Sequence, residues 1–212
     1  MPDAAKDTVN CSPIPPFNPD PSKDGPWVKL LPAADRLTYR TAKQTFDQAA
    51  AKFSQACATA DGIVVTAQSN FQAARDAATT AGASLDQAVS AANAAKDAVA
   101  NVNDLDPAKV RTDPAPIAQQ ATDVKAAAAA YQTANGAVTA AQTAYVAAVA
   151  ALAKLSEPGF TDPASAVINE DQLDIAEANR DVAKATAQKP YDSALNAFYT
   201  ARFTLYNSLN DD

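Results

Sequence analysis

The sequence contains no histidine, and that absence removes more chemistry than any residue present supplies. Without imidazole there is no His-based general acid or base near neutral pH, no triad that relays a proton through His, and no access to the commonest ligand of zinc and iron sites. Cysteine is almost as scarce, with Cys11 and Cys57 alone, and the two are too far apart in sequence to form a metal-binding pair. The five glycines form no phosphate-cradling loop. The expectation is a protein that is not an enzyme and carries no metal or cofactor.

Positive charge is short too. Seventeen Lys and Arg stand against 24 Asp and Glu, for a net charge of −7 and a pI near 4.5. Nucleic-acid binding needs clustered cations to neutralise phosphates, so it is not expected here. Large apolar side chains are few: the hydrophobic fraction is 48%, yet about a quarter of all residues are alanine. Alanine is the best helix former and the smallest helix-packing residue, which favours long, closely spaced helices over a thick core. Met1 to Asn10 shows no apolar run behind a basic start and does not read as a secretory signal. Ala126 to Ala153 is uncharged and long enough to span a bilayer. It is mostly Ala, with Gln132, Asn135, Gln142 and several Thr, and lacks the Leu and Ile density that drives insertion. The expected environment is a helix enclosed by protein neighbours, and a membrane span is not expected.

What the chain does have is rhythm. Every seventh residue from Tyr39 gives Tyr39, Phe46, Phe53, Ala60, Ala67, Ala74, Ala81, Ala88, Ala95 and Val102, and a companion stripe gives Ala50, Cys57, Val64, Phe71, Ala78, Leu85, Ala92 and Val99. A strict seven-residue apolar repeat is a coiled-coil seam, because it keeps two rows of side chains against a partner helix. Its phase passes unchanged through Gly62 and Gly82, which favours one continuous helix; a break near Gly62 would give the alternative, a four-helix up-down bundle. Ile117 to Glu157 repeats the design with Ile117, Val124, Tyr131, Val138, Tyr145 and Leu152 beside Gln120, Ala127, Ala134, Ala141, Ala148 and Leu155. The two segments read as antiparallel partners. Gly136 lies off both stripes and leaves room for a third helix.

Prolines punctuate the rest. Residues 1–32 hold eight of the 14 prolines, among them Pro13, Pro15, Pro16, Pro19 and Pro21, so this arm reads as extended and non-helical. Asn103 to Pro116 and Glu157 to Phe160 read as reversals, and Asp162-Pro163 offers an N-cap and first-turn proline for the last helix. That helix carries a thin stripe of Ile168, Ile175 and Val182, and Pro190 kinks or breaks it. The expected fold is all-α: an elongated antiparallel bundle of three long helices, about 33–103, 116–156 and 164–210, preceded by the arm.

Two regions carry stranded apolar groups, Ile14 among those of the arm, and the candidate partner contacts are Phe17, Trp27, Leu30 and Leu31 in the arm, and Tyr191, Phe198, Tyr199, Phe203 and Tyr206 at the C-terminal tip. The tip packs on Tyr39, Phe46 and Phe53 if the first helix is broken, or on another subunit if it is continuous. Cys57 reads as a small buried seam residue, and whether it pairs with Cys11 depends on how the arm folds. The acidic group Glu170, Asp171, Asp174, Glu177 and Asp181 complements the positive end of the last helix, and Tyr131 and Tyr145 read as seam residues. The functional expectation is a structural or interaction protein, a rod-like part of a larger homo-oligomeric or multi-component assembly such as an appendage, virion, injection machine or surface fibre. The alternative is a peripheral coat protein on a lipid or granule surface.

Overall fold

A computed structural model of the chain describes residues 9–12, 25–102 and 115–209. The arm prolines from Pro13 to Pro21, with Ile14 and Phe17, and most of the expected reversal before Pro116 lie outside the described residues. What is described is all-helical: α1 (Gly25–Val28), α2 (Ala33–Val102), α3 (Ala115–Ala153) and α4 (Glu170–Ser208), with a short 3₁₀ turn at Pro163–Ser165. No strand occurs among the described residues, where the sole extended pairing is an isolated bridge between Ser156 and Ile168.

α2 is one helix of 70 residues. It runs through Gly62 and Gly82 without interruption, so the four-helix alternative does not hold. At Gly82 the missing side chain has a use: an added Cβ would lie 3.3 Å from the ring edge of Tyr145 on α3, whereas one at Gly62 would meet nothing within 4 Å. Threonines, weak helix formers by propensity, are accommodated by back-bonding. The hydroxyls of Thr45, Thr59, Thr66 and Thr79 each donate to the carbonyl four residues earlier.

By its contacts the chain forms two compact units, Met1–Ala67 with Asp171–Asp212, and Gln68–Glu170. In the first, α2 pairs with α4. Tyr39 meets Phe198, Phe46 meets both Phe198 and Tyr191, and Phe53 stacks on Tyr191 at 5.0 Å between ring centroids. Residue numbers rise on one helix as they fall on the other, so the pair is antiparallel. Tyr191, Phe198 and Leu205 keep a seven-residue spacing and all are buried, which makes them the true seam of α4. Ile175 and Val182, on the stripe expected to be buried, are exposed. The aromatic row has more apolar area to bury, and it fixes the helix rotation. Extended backwards, this seam reaches Lys184, whose ammonium pairs with Asp61 of α2 at 2.5 Å.

In the second unit α2 pairs with α3, again antiparallel: the Gln120 amide donates to the Val102 carbonyl at 2.7 Å, and Phe71 and Ala78 share a buried cluster with Leu152. That amide satisfies one of the carbonyls orphaned at the end of α2. Thus α2 serves two partners in turn, α4 along its first half and α3 along its second, where the sequence pattern read α2 and α3 as antiparallel partners. The tip packing and the continuous helix, expected to exclude each other, coexist for this reason.

Three local expectations are corrected. The arm does contain a helical turn, α1, with Pro26 in its second position, where a missing N–H leaves no hydrogen bond unmade. α4 starts at Glu170 and not after Pro163. Asp162 caps only the 3₁₀ turn, accepting from the Ala164 N–H at 3.1 Å, and the chain is then held extended by Glu157 N–H to Val167 and Asn169 N–H to Leu155. Those bonds use the Val167 carbonyl and the Asn169 N–H, both of which a longer helix would need, while Ala166 and Ile168 join the core of this unit. Finally, α4 is not broken at Pro190 but passes through it as a single element. The lost hydrogen bond there is offset by burial of Tyr191 and Phe198 on either side of the next turn.

Candidate interaction surfaces

The arm and the tip, the two candidate contact regions, meet each other in the first unit. Cys11 and Cys57 form a disulfide, with Cα atoms 5.9 Å apart and a sequence separation of 46. Val9 and Cys11 pack against the buried cluster of Tyr39, Phe46, Phe53, Cys57, Tyr191, Phe198 and Leu205. Farther along, Trp27 stands edge-on to Tyr39 and to Tyr206, with centroid separations of 5.5 and 5.6 Å. The described parts of the arm therefore touch one core at two levels, near Cys57 and near Tyr39.

Much of the candidate list is consumed in this packing. Leu31, Tyr191 and Phe198 are buried, and Trp27 and Tyr199 are half-buried. Leu30 and Phe203 remain 73% and 69% exposed, and Tyr206, although it carries Trp27, is half exposed. Phe17 lies outside the described residues. The surface available to a partner at this end is thus Leu30, Phe203 and Tyr206. On the other flank of the α2–α4 pair lies an open cleft of about 390 Å³ lined by Ala49, Phe53, Ala56, Pro190 and Tyr191, with Lys52 its one charged group.

Two members of the acidic group near the start of α4, Glu177 and Asp181, are engaged locally by Arg180. Arg180 donates to Asp181 at 2.8 Å and lies 3.9 Å from Glu177, and the hydrogen bond to Asp181 raises the guanidinium above its already high pKa. The Glu157 carboxylate accepts the Glu170 N–H at 2.9 Å, a cap delivered from outside the helix. Among the described residues no three metal-capable side chains come together. Tyr131 and Tyr145 are half-buried on the α2 side of α3, Tyr145 against Gly82.

The feature that stands out is α3 itself. It is long and apolar enough to cross a membrane, yet only 6% of its most apolar window is buried. Among the described residues, α2 is the one long helix packed against it. α2 covers one side, and no other described residue covers the opposite one.

Compared with protein-family models, curated proteins and solved structures, the chain matches none.

Proposed function

We propose that this chain is a structural, non-enzymatic component of a larger protein assembly, built on antiparallel coiled-coil pairs and joined to its neighbours through surfaces that its own fold leaves uncovered. The observation that carries the reading is the stretch of α3 from Ala126 to Ala153, uncharged and mostly exposed, because a contiguous exposed apolar surface marks an interaction site. Leu30, Phe203 and Tyr206 add a second contact region where the arm meets the tip. A disulfide persists where the environment is oxidising, so the proposed working place is outside a reducing cytosol. An appendage, a virion or injection-machine part, or a surface fibre all meet these requirements. Light scattering on the size-exclusion eluate of the oxidised full chain tests this. The expected mass exceeds the 21.9 kDa of one chain, and a monomer at every concentration would overturn it.

A second reading, a peripheral coat on a lipid or granule surface, draws on the same hydropathy of α3. Flotation with liposomes separates the two: capture of the chain by vesicles would favour the coat.

A further inference from the structure

Helix α3 has two unlike faces. Val124, Tyr131, Val138, Tyr145 and Leu152 are half-buried or buried on the α2 side, while Ala129, Gln132, Gly136, Ala140, Thr143 and Ala147 are exposed on the other. No charge interrupts this outer face from Ala126 to Ala153, about 28 residues or ~42 Å of helix. Lys125 and Lys154 bound it, and their long stems let the ammonium groups reach water at its ends.

Three details show that the face is prepared for burial. The hydroxyls of Thr133, Thr139 and Thr143 already donate to the carbonyls four residues earlier, at 3.0, 3.2 and 2.9 Å, so covering them strands no donor and presents their methyls. An added Cβ at Gly136 would meet nothing within 4 Å, which means the close approach that glycine permits is not used inside the chain, although glycine costs the helix about 1 kcal/mol. Val146 is exposed beside them.

Charge decides what can cover this face. α2, against which α3 lies, carries Arg75, Asp76, Asp86, Lys96 and Asp97 along the paired region, and hydrocarbon deep enough to enclose α3 would draw these in at about 2.5–3.5 kcal/mol apiece. A charged protein surface would leave its own ions desolvated and unpaired against alanine. The matching surface is a second uncharged helix of similar length. Elsewhere in the sequence no charge-free run approaches this one; α2 and α4 carry charges throughout. We propose that the outer face of α3 packs against the same face of a second copy of this chain, as a two-fold pair in which Gly136, Ala140 and Ala147 set a close helix approach and Gln132 hydrogen-bonds across the contact.

This inference rests on the assembly reading and names its first contact. The test is sedimentation velocity on the full-length oxidised chain, comparing the unmodified protein with Ala140→Lys/Ala147→Lys, Ala140→Glu/Ala147→Glu, an equal mixture of the two, and Thr80→Lys on the exposed side of α2. Circular dichroism verifies that each remains helical. The expected result is a dimer for the unmodified chain and for Thr80→Lys, a loss of about tenfold or more in affinity for either double variant alone, and recovery in the mixture, where opposite charges meet. Association unchanged in both double variants would overturn the α3 contact and leave the assembly reading standing. A monomer throughout would overturn both. Flotation of the unmodified chain, but not the double variants, with neutral phosphatidylcholine vesicles would assign the face to lipid and also overturn the proposal.

Discussion

The two halves of α2 use one seven-residue rhythm to opposite ends. From Tyr39 to Cys57 the seam is aromatic, meets the aromatic row of α4, and is closed by the disulfide-held arm. From Phe71 to Ala92 the seam is mostly alanine, and the helix it meets keeps its far side in the open. Aromatic side chains bury about 150–250 Å² each, so the first unit completes a core with two helices and a strap. Alanine buries little per residue, so the second unit gains close approach but not a closed core. The comparison teaches that a periodic pattern specifies which side of a helix pairs, while the size of the side chains on it decides whether two helices are enough.

The largest expected effect comes from breaking the aromatic seam. Phe198 is fully buried between Tyr39 and Phe46, and Phe198→Ala should cost about 5 kcal/mol in urea unfolding. Hydrogen exchange should rise along residues 39–57 and 191–205 before it rises in α3. Next is the strap: opening a loop of this length by Cys11→Ser or by reduction should cost about 4 kcal/mol on the chain-entropy account. The thermal midpoint of the first unit should fall, with the second unaltered; equal losses in both would mean that the disulfide stabilises the chain as a whole.

The glycines sharpen the contrast at smaller scale. Gly62→Ala should stabilise by up to about 1 kcal/mol, because nothing lies near the added methyl. At Gly82 the methyl would press on Tyr145 at 3.3 Å, cancelling most of that gain. Chemical denaturation of the two variants side by side checks the difference. The smallest effect belongs to Lys184→Met: its partner Asp61 is more than half exposed, so losing the ion pair should change stability by less than about 1 kcal/mol.

Much of this was legible in residues alone. The heptads of α2 and α3 marked two of the three long helices, the passage through Gly62 and the α3 face that meets α2, because repeat phase is a property of sequence; the prolines on either side marked the third. The rotation of α4 was not so clear. Ile168, Ile175 and Val182 offered a competing stripe, and choosing Tyr191, Phe198 and Leu205 over it required knowing that Tyr39, Phe46 and Phe53 stand opposite. The start of α4 was misread for a similar reason, since the bonds from Glu157 and Asn169 that hold the chain extended cross a loop and leave no local signature. The Cys11–Cys57 pair depended on where the arm travels, which spacing does not encode. The openness of α3 was hidden because an uncharged alanine helix looks the same in sequence whether its neighbours belong to its own chain or to another.

That last difference carries the account, and hydrogen exchange followed by mass spectrometry across a concentration series of the full oxidised chain tests it most directly. The prediction is that protection of residues 126–153 increases with concentration while that of residues 39–57 stays constant, because the first unit closes on itself and the second is completed by another chain. Protection of 126–153 that is the same at every concentration, at or below the level of the first unit, would contradict it.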